Sequence, residues 1–181
     1  MLEQTLMKLA LDAGASKATV IEQSQIVLSD SFFAICATNQ CGAYGRCWIC
    51  PPELGDIHDL MNEVRRFPRG LWYQYIAKIE DSFDIEGMFA AGKDHAWLGQ
   101  RIETAVTSLL SGPHLHLSCG GCHLCPTCAK VTGEPCRMPG KALPPLEGYG
   151  VDVYQTTKST DLSYINGQNT VTYFGMVLFD E

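Results

Sequence analysis

The 181-residue chain predicts an α+β fold, a small mixed β-sheet with packed helices and two cysteine-rich metal-binding loops. Three observations lead there. Apolar residues repeat at helical spacing in some stretches and alternate like strands in others, without regular βαβ order. The chain closes on "TVTYFGMVLFD", an alternating run of β-branched and aromatic residues. Two tight groups of cysteines each follow a predicted strand, a placement that can bring them together at one end of a sheet.

In chain order, Leu2, Leu6, Leu9 and Ala10 share one helical face and Gly14 follows them, so the first element is a helix. "KATVIEQSQIVLSDSFFAICA" reads as one or two strands that deliver the chain to Cys36. Asp56 is placed to cap a helix burying Ile57, Leu60, Met61, Val64 and Phe67, which Pro68 stops. "GLWYQYIAKIED" reads as a strand. From Asp84 to Leu110 the apolar residues keep helical spacing, with breaks expected among Gly87, Gly92 and Gly99. "HLHLSC" alternates as a short strand, and "LPPLEGYGVDVYQTTK" fits either a helix opened by Pro144 and Pro145 or a strand through Val151 and Val153.

The composition, 46% apolar and 18% charged with no internal repeat or charge block, predicts one folded unit over residues 1–181. The net charge of −7 argues against a nucleic-acid surface, because only Arg65, Arg66 and Arg69 cluster; an acidic face suits a basic protein partner, though it more often serves only solubility. Glu3 stands where a signal peptide needs positive charge, and no run is long and apolar enough for a membrane span. A cytoplasmic location is the expectation.

Nine cysteines in a chain without an export signal point to metal rather than disulfides, and they fall in two groups. In the second, Cys122, Cys125 and Cys128 form C-x2-C-x2-C and Cys136 follows at a distance. A cubane iron–sulfur cluster needs thiolates from several directions, so three closely spaced cysteines can wrap three corners and a remote one closes the fourth. Cys119 offers an alternative triplet with Cys122 and Cys125. Zinc competes, although a structural zinc site usually assembles from two separated pairs. In the first group, Cys36, Cys41, Cys47 and Cys50 are four thiols ahead of Pro51 and Pro52, enough for a second cluster or for zinc.

"CGAYGRCWICPP", the triplet through "CHLCPTC", "PCRMP" and "PPLEGYGVDVY", in that order, resemble the prokaryotic "predicted metal-binding protein" family, domain of unknown function 2284, from about Cys36 to Tyr154. The resemblance implies metal binding through cysteines, as iron–sulfur clusters. It matches Cys36, Cys41 and Cys50 in the first group and Cys122, Cys125, Cys128 and Cys136 in the second, with Cys47 and Cys119 as additions.

Tyr44, Arg46 and Trp48 either pack the first loop or shield a cluster. His114 and His116 point the same way on a strand and Glu147 and Asp152 flank the "GYGV" stretch, but helix capping and ordinary polar contacts account for such residues. No phosphate-binding loop, nucleophile elbow or HExxH is present. The expected function is an iron–sulfur protein with two [4Fe–4S] clusters that acts in electron transfer or redox chemistry with a redox protein partner. A zinc-stabilised interaction module and an enzyme using an open iron of the first cluster are the alternatives.

Overall fold

The computed structural model describes residues 1–181. Its centre is the pairing of β2 (Arg69–Lys78) with β4 (Thr170–Phe179), antiparallel over their whole length, with Arg69 opposite Phe179 and Lys78 opposite Thr170. β1 (Lys17–Glu22) adds to the outer side of β2 and β3 (His114–Leu117) to the outer side of β4, giving the order β1-β2-β4-β3. The α+β class holds, and every pairing in the sheet is antiparallel. Because both β2 and β3 run antiparallel to β4, they run parallel to each other. With α4 (Ile85–Leu109) between them they form a split βαβ unit with β4 inserted in its middle.

Successive side chains of a strand point to opposite faces, and both faces of this sheet are covered. Leu71 and Tyr73 of β2, with Val177 and Phe179 of β4, face α4 and α1 (Leu2–Ala13), where they meet Leu6, Ala10, Leu98, Ile102 and Val106. On the other face Trp72, Phe174, Met176 and Leu178 meet Leu60 and Val64 of α3 (Ile57–Arg65), together with Leu146, Tyr149 and Val151. Asp56 caps α3 as expected, accepting from the amides of His58 (2.8 Å) and Asp59 (3.3 Å).

Three elements differ from the sequence reading. The stretch before Cys36 leaves the sheet after Glu22 and forms a short helix, α2 (Ser31–Ala37), so Cys36 arrives on a helix rather than after a strand. The cause is tertiary. Leu28 bridges to Val151, and the Ser29 amide donates to the Gly150 carbonyl (2.8 Å), which takes up the backbone groups a strand would have used. The same pairing fixes "LEGYGVDVYQTTK" as a 3-10 turn at Glu147–Tyr149 and α5 (Val153–Lys158), capped by Asp152 accepting from the Gln155 amide (2.9 Å). α4 runs its 25 residues unbroken. Asp84 caps it through the Gly87 amide (2.8 Å), and Gly99 serves close packing, since a Cβ there would lie 3.0 Å from Leu143.

Tyr73 lies across the next strand. Its register partner is Gly175, where an added Cβ would sit 2.2 Å from the Tyr73 ring. Only glycine fits there. The Tyr73 hydroxyl, kept protonated by burial, donates to Nε2 of His116 (2.9 Å). Nδ1 of His116 then carries the hydrogen and donates to Glu103 (2.9 Å), whose other oxygen accepts from His114 (3.0 Å). His116 is kept neutral by burial, and His95, buried against Tyr73, is held down to about 3 by burial and then by the nearby His116. The carboxyl of Glu103 is held down at about 2, first by the hydrogen bond from His116. The two strand histidines are therefore polar anchors of the sheet. No helix is long and apolar enough to cross a membrane.

Two outcomes follow from this core. Gly175→Ala lowers stability by about 3 kcal/mol in chemical denaturation, and by distinctly less in a Tyr73→Leu background, because the two sites share one space. Stability also rises with pH from about 2 to about 6.5. His95 goes from 6.5 unfolded to about 3 folded and Glu103 from 4.5 to about 2, so across both windows the unfolded chain binds more protons. Denaturation midpoints measured across that range check the slope.

Candidate metal centre

The first loop leaves α2 at Thr38 and is folded back on itself by its own polar groups. Asn39, with φ of 55°, accepts from the Tyr44 amide through its side chain (3.1 Å), and the Gly45 amide donates to the Pro51 carbonyl (2.9 Å). Cys47 and Cys50 are joined by a turn in which the Cys50 amide donates to the Cys47 carbonyl (3.2 Å). The second loop starts where β3 ends. There Ser118 continues the pairing, donating from its amide to Pro144 (2.8 Å) and accepting from the Leu146 amide (2.9 Å). Cys119 therefore leaves a fixed backbone, while Cys128 opens a 3-10 turn over Ala129–Thr132.

The loops clasp each other. Trp48 Nε1 donates to the Glu134 carbonyl (3.0 Å), Lys130 pairs with Glu53 (2.7 Å), and the Lys130 ammonium lies 4.2 Å from the centre of the Trp48 ring. Arg137 stays within its own loop, on Glu134 (2.8 Å) and the Thr127 carbonyl (3.2 Å). Of the aromatic and basic residues singled out in the first loop, Trp48 thus ties the loops together.

Between the loops lie two adjoining cavities. The first, of about 340 Å³, carries Cys36, Cys41 and Cys50 with Cys119 and Glu147 on its wall. The second, of about 350 Å³, carries Cys47, Cys122 and Cys128, with Cys41, Cys119 and His123 also on its wall. They share Cys41, Ala43, Cys119, Gly120 and Gly121. The cysteine that sequence order groups with Cys36 and Cys50 thus faces the other cavity. The Cys47 thiol lies beside the Cys50 and Cys128 thiols and the Cys122 backbone. Cys125 is close enough to Cys122 for its charge to act there, while Cys136 accepts from the Met138 amide (3.4 Å) and lines neither cavity.

All nine cysteines are free thiols. The neighbouring Cys50 thiol lowers Cys47, while that same contact and then burial push the Cys50 thiol up. Burial, followed by the charge of Cys47 and its neighbours, lifts Cys122 to about 11; burial and then Cys41 and Glu147 lift Cys36. Negative charge is favoured on Cys47 and opposed on the thiols of Cys36, Cys50 and Cys122. A multiply charged cation removes that opposition, so the donor set suits a metal centre. No three His, Cys, Asp or Glu side chains converge tightly enough to grip one ion.

Glu147 and Cys119 are the two groups whose importance the sequence understated. Burial raises the carboxyl of Glu147, which has no cationic partner in the ion-pair set and lies on the first cavity beside Cys36 and Cys119. Asp152, by contrast, is the cap of α5. The signal for Cys119 was its position directly after an alternating strand. For Glu147, the fold's return past Ser118 at residues 144–146 had to be known first.

A family model described as "predicted metal-binding protein", domain of unknown function 2284, matches residues 19–179. No curated protein and no solved structure matches the chain.

The clasp predicts a local effect. Trp48→Ala removes the bond to Glu134 and the seat of Lys130, so limited proteolysis within residues 119–138 becomes about tenfold faster while amide exchange in β2 and β4 is unchanged. Mass spectrometry of both readouts checks it.

Proposed function

The chain belongs to the family of predicted metal-binding proteins termed domain of unknown function 2284, and from that premise we propose that it is an iron–sulfur protein carrying two [4Fe–4S] clusters and exchanging electrons with a redox partner. The observation that carries this reading is the pair of adjoining thiol-lined cavities. Sulfurs around a cubane stand farther apart than those around one ion, because irons intervene, and thiols spread over a cavity wall suit the former. A structural zinc ion asks for donors meeting at one point, which no three of these do.

In this reading Cys36, Cys41 and Cys50 hold the first cluster, and Cys47, Cys122 and Cys128 hold the second with Cys125 beside them. Cys136 belongs to the second group by its spacing. The clusters, when bound, supply one-electron redox chemistry. The chain's own residues order the thiols, join the two loops through the Trp48 and Lys130 clasp, and set two centres against a common wall. Nine free thiols suit a reducing compartment such as the cytoplasm.

A second reading is favoured by the first cavity alone. It holds three close thiols and an unpaired carboxyl, Glu147, which suits an enzyme binding substrate at an exchangeable iron. Cyanide or an added thiolate shifting the spectrum of one cluster supports that reading.

Protein purified without oxygen is expected to contain about eight irons and eight sulfides per chain. Zinc without sulfide overturns the redox reading. Double variants test the partition of the thiols. Cys47→Ser combined with Cys122→Ser loses no more iron than Cys122→Ser alone, whereas Cys47→Ser with Cys36→Ser depletes both centres.

A further inference from the structure

Residues 80–86, "EDSFDIE", carry Glu80, Asp81, Asp84 and Glu86 with no basic residue among them, and Lys78 and Lys93 bound the stretch on either side. None of the four carboxylates takes part in an ion pair. Hydrogen bonds from the Glu80 and Gly87 amides hold Asp84 in its ionised form. Asp84 is committed to the cap of α4, and the charges of Glu80, Asp81 and Glu86 meet no cation.

Within the same stretch stand three apolar side chains that the fold leaves outside. Phe83 is 88% exposed, Ile85 62% and Phe89 63%. Ile85 and Phe89 are four residues apart on α4 and so share a face. Phe89 lines the second thiol cavity, alongside Cys47, Cys122 and Cys128. An apolar strip bordered by carboxylates thus runs from the start of α4 to the mouth of the cavity.

We propose that this strip is the docking surface for a basic electron-transfer protein whose own redox group lies near its surface. The inference rests on the electron-carrier reading above and names where the exchange takes place. An apolar centre with a charged rim is the anatomy of a transient interface, and opposite charges steer such partners into contact. Redox encounters are small, and a patch built on one helix end suffices for them. The sign of the charge selects the occupant. A second copy would bring carboxylates against carboxylates, and an anionic lipid surface is repelled in the same way. The step is one electron leaving the centre of this protein and entering that of the partner; no bond forms or breaks and no proton is required.

The test uses the iron-loaded protein and cytochrome c, a basic haem protein, as probe, with binding read by titration calorimetry at low ionic strength. Glu86→Lys and Phe83→Ser are each expected to weaken binding by about fivefold, the first through the rim and the second through the centre. Asp12→Lys makes the same change in net charge on α1, which packs along the far part of α4, and is expected to change binding less than about twofold. Equal losses for Glu86→Lys and Asp12→Lys overturn the proposal, as does an unchanged affinity for Phe83→Ser. Reduction with dithionite separates the two levels. A visible band that does not bleach overturns the electron-carrier reading and this proposal with it, whereas a band that bleaches beside variants that all bind alike overturns the surface alone.

Discussion

The ladder between β2 and β4 is the constraint on which everything else depends. Ten residues of each strand pair without a bulge, and both faces of the pair are buried, so a slip of one residue would exchange the two cores. Tyr73 over Gly175 is one tooth of that register, because only the observed alignment gives the ring a partner without a Cβ. β3 has β4 as its one strand partner, pairing Leu117 with Met176, and Cys119 leaves two residues later. The start of the second loop is thus positioned by a strand that the chain supplies last.

A small sheet holding nine thiols has to keep them apart as well as together. The structure does so with backbone rather than with bulk. Turns at Asn39 and Gly45 fold the first loop, the bonds of Ser118 to Pro144 and Leu146 fix the root of the second, and Trp48 with Lys130 joins the two. Few apolar side chains are spent inside the loops themselves. Their order is borrowed from the sheet at one end and from the clasp at the other, which is how polar, glycine-rich segments remain shaped around a space.

Much of this was legible in the sequence. The cap at Asp56, the span of α4, the long strands and the two cysteine groups follow from local periodicity and local hydrogen bonding, which the chain carries within a few residues. What stayed hidden is whatever depends on distant partners. α2 exists because Leu28 meets Val151, more than a hundred residues away, and the insertion of β4 between β2 and β3 leaves no trace in either strand's pattern. The same holds at the site. Spacing grouped Cys47 with its neighbours in sequence, whereas the turn to Cys50 directs its sulfur across to Cys122 and Cys128. Gly99 reads as a weak point of a helix until its neighbour Leu143 is seen to need the room.

The common wall of the two cavities has a bearing on how this sequence is free to drift. Cys41, Ala43, Cys119, Gly120 and Gly121 look into both spaces at once. An added Cβ on Gly121 would come 3.4 Å from the Ala43 side chain, so a larger side chain on this wall takes space from both cavities. This part of the lining cannot be adjusted for one cavity alone, and a change here is inherited by both.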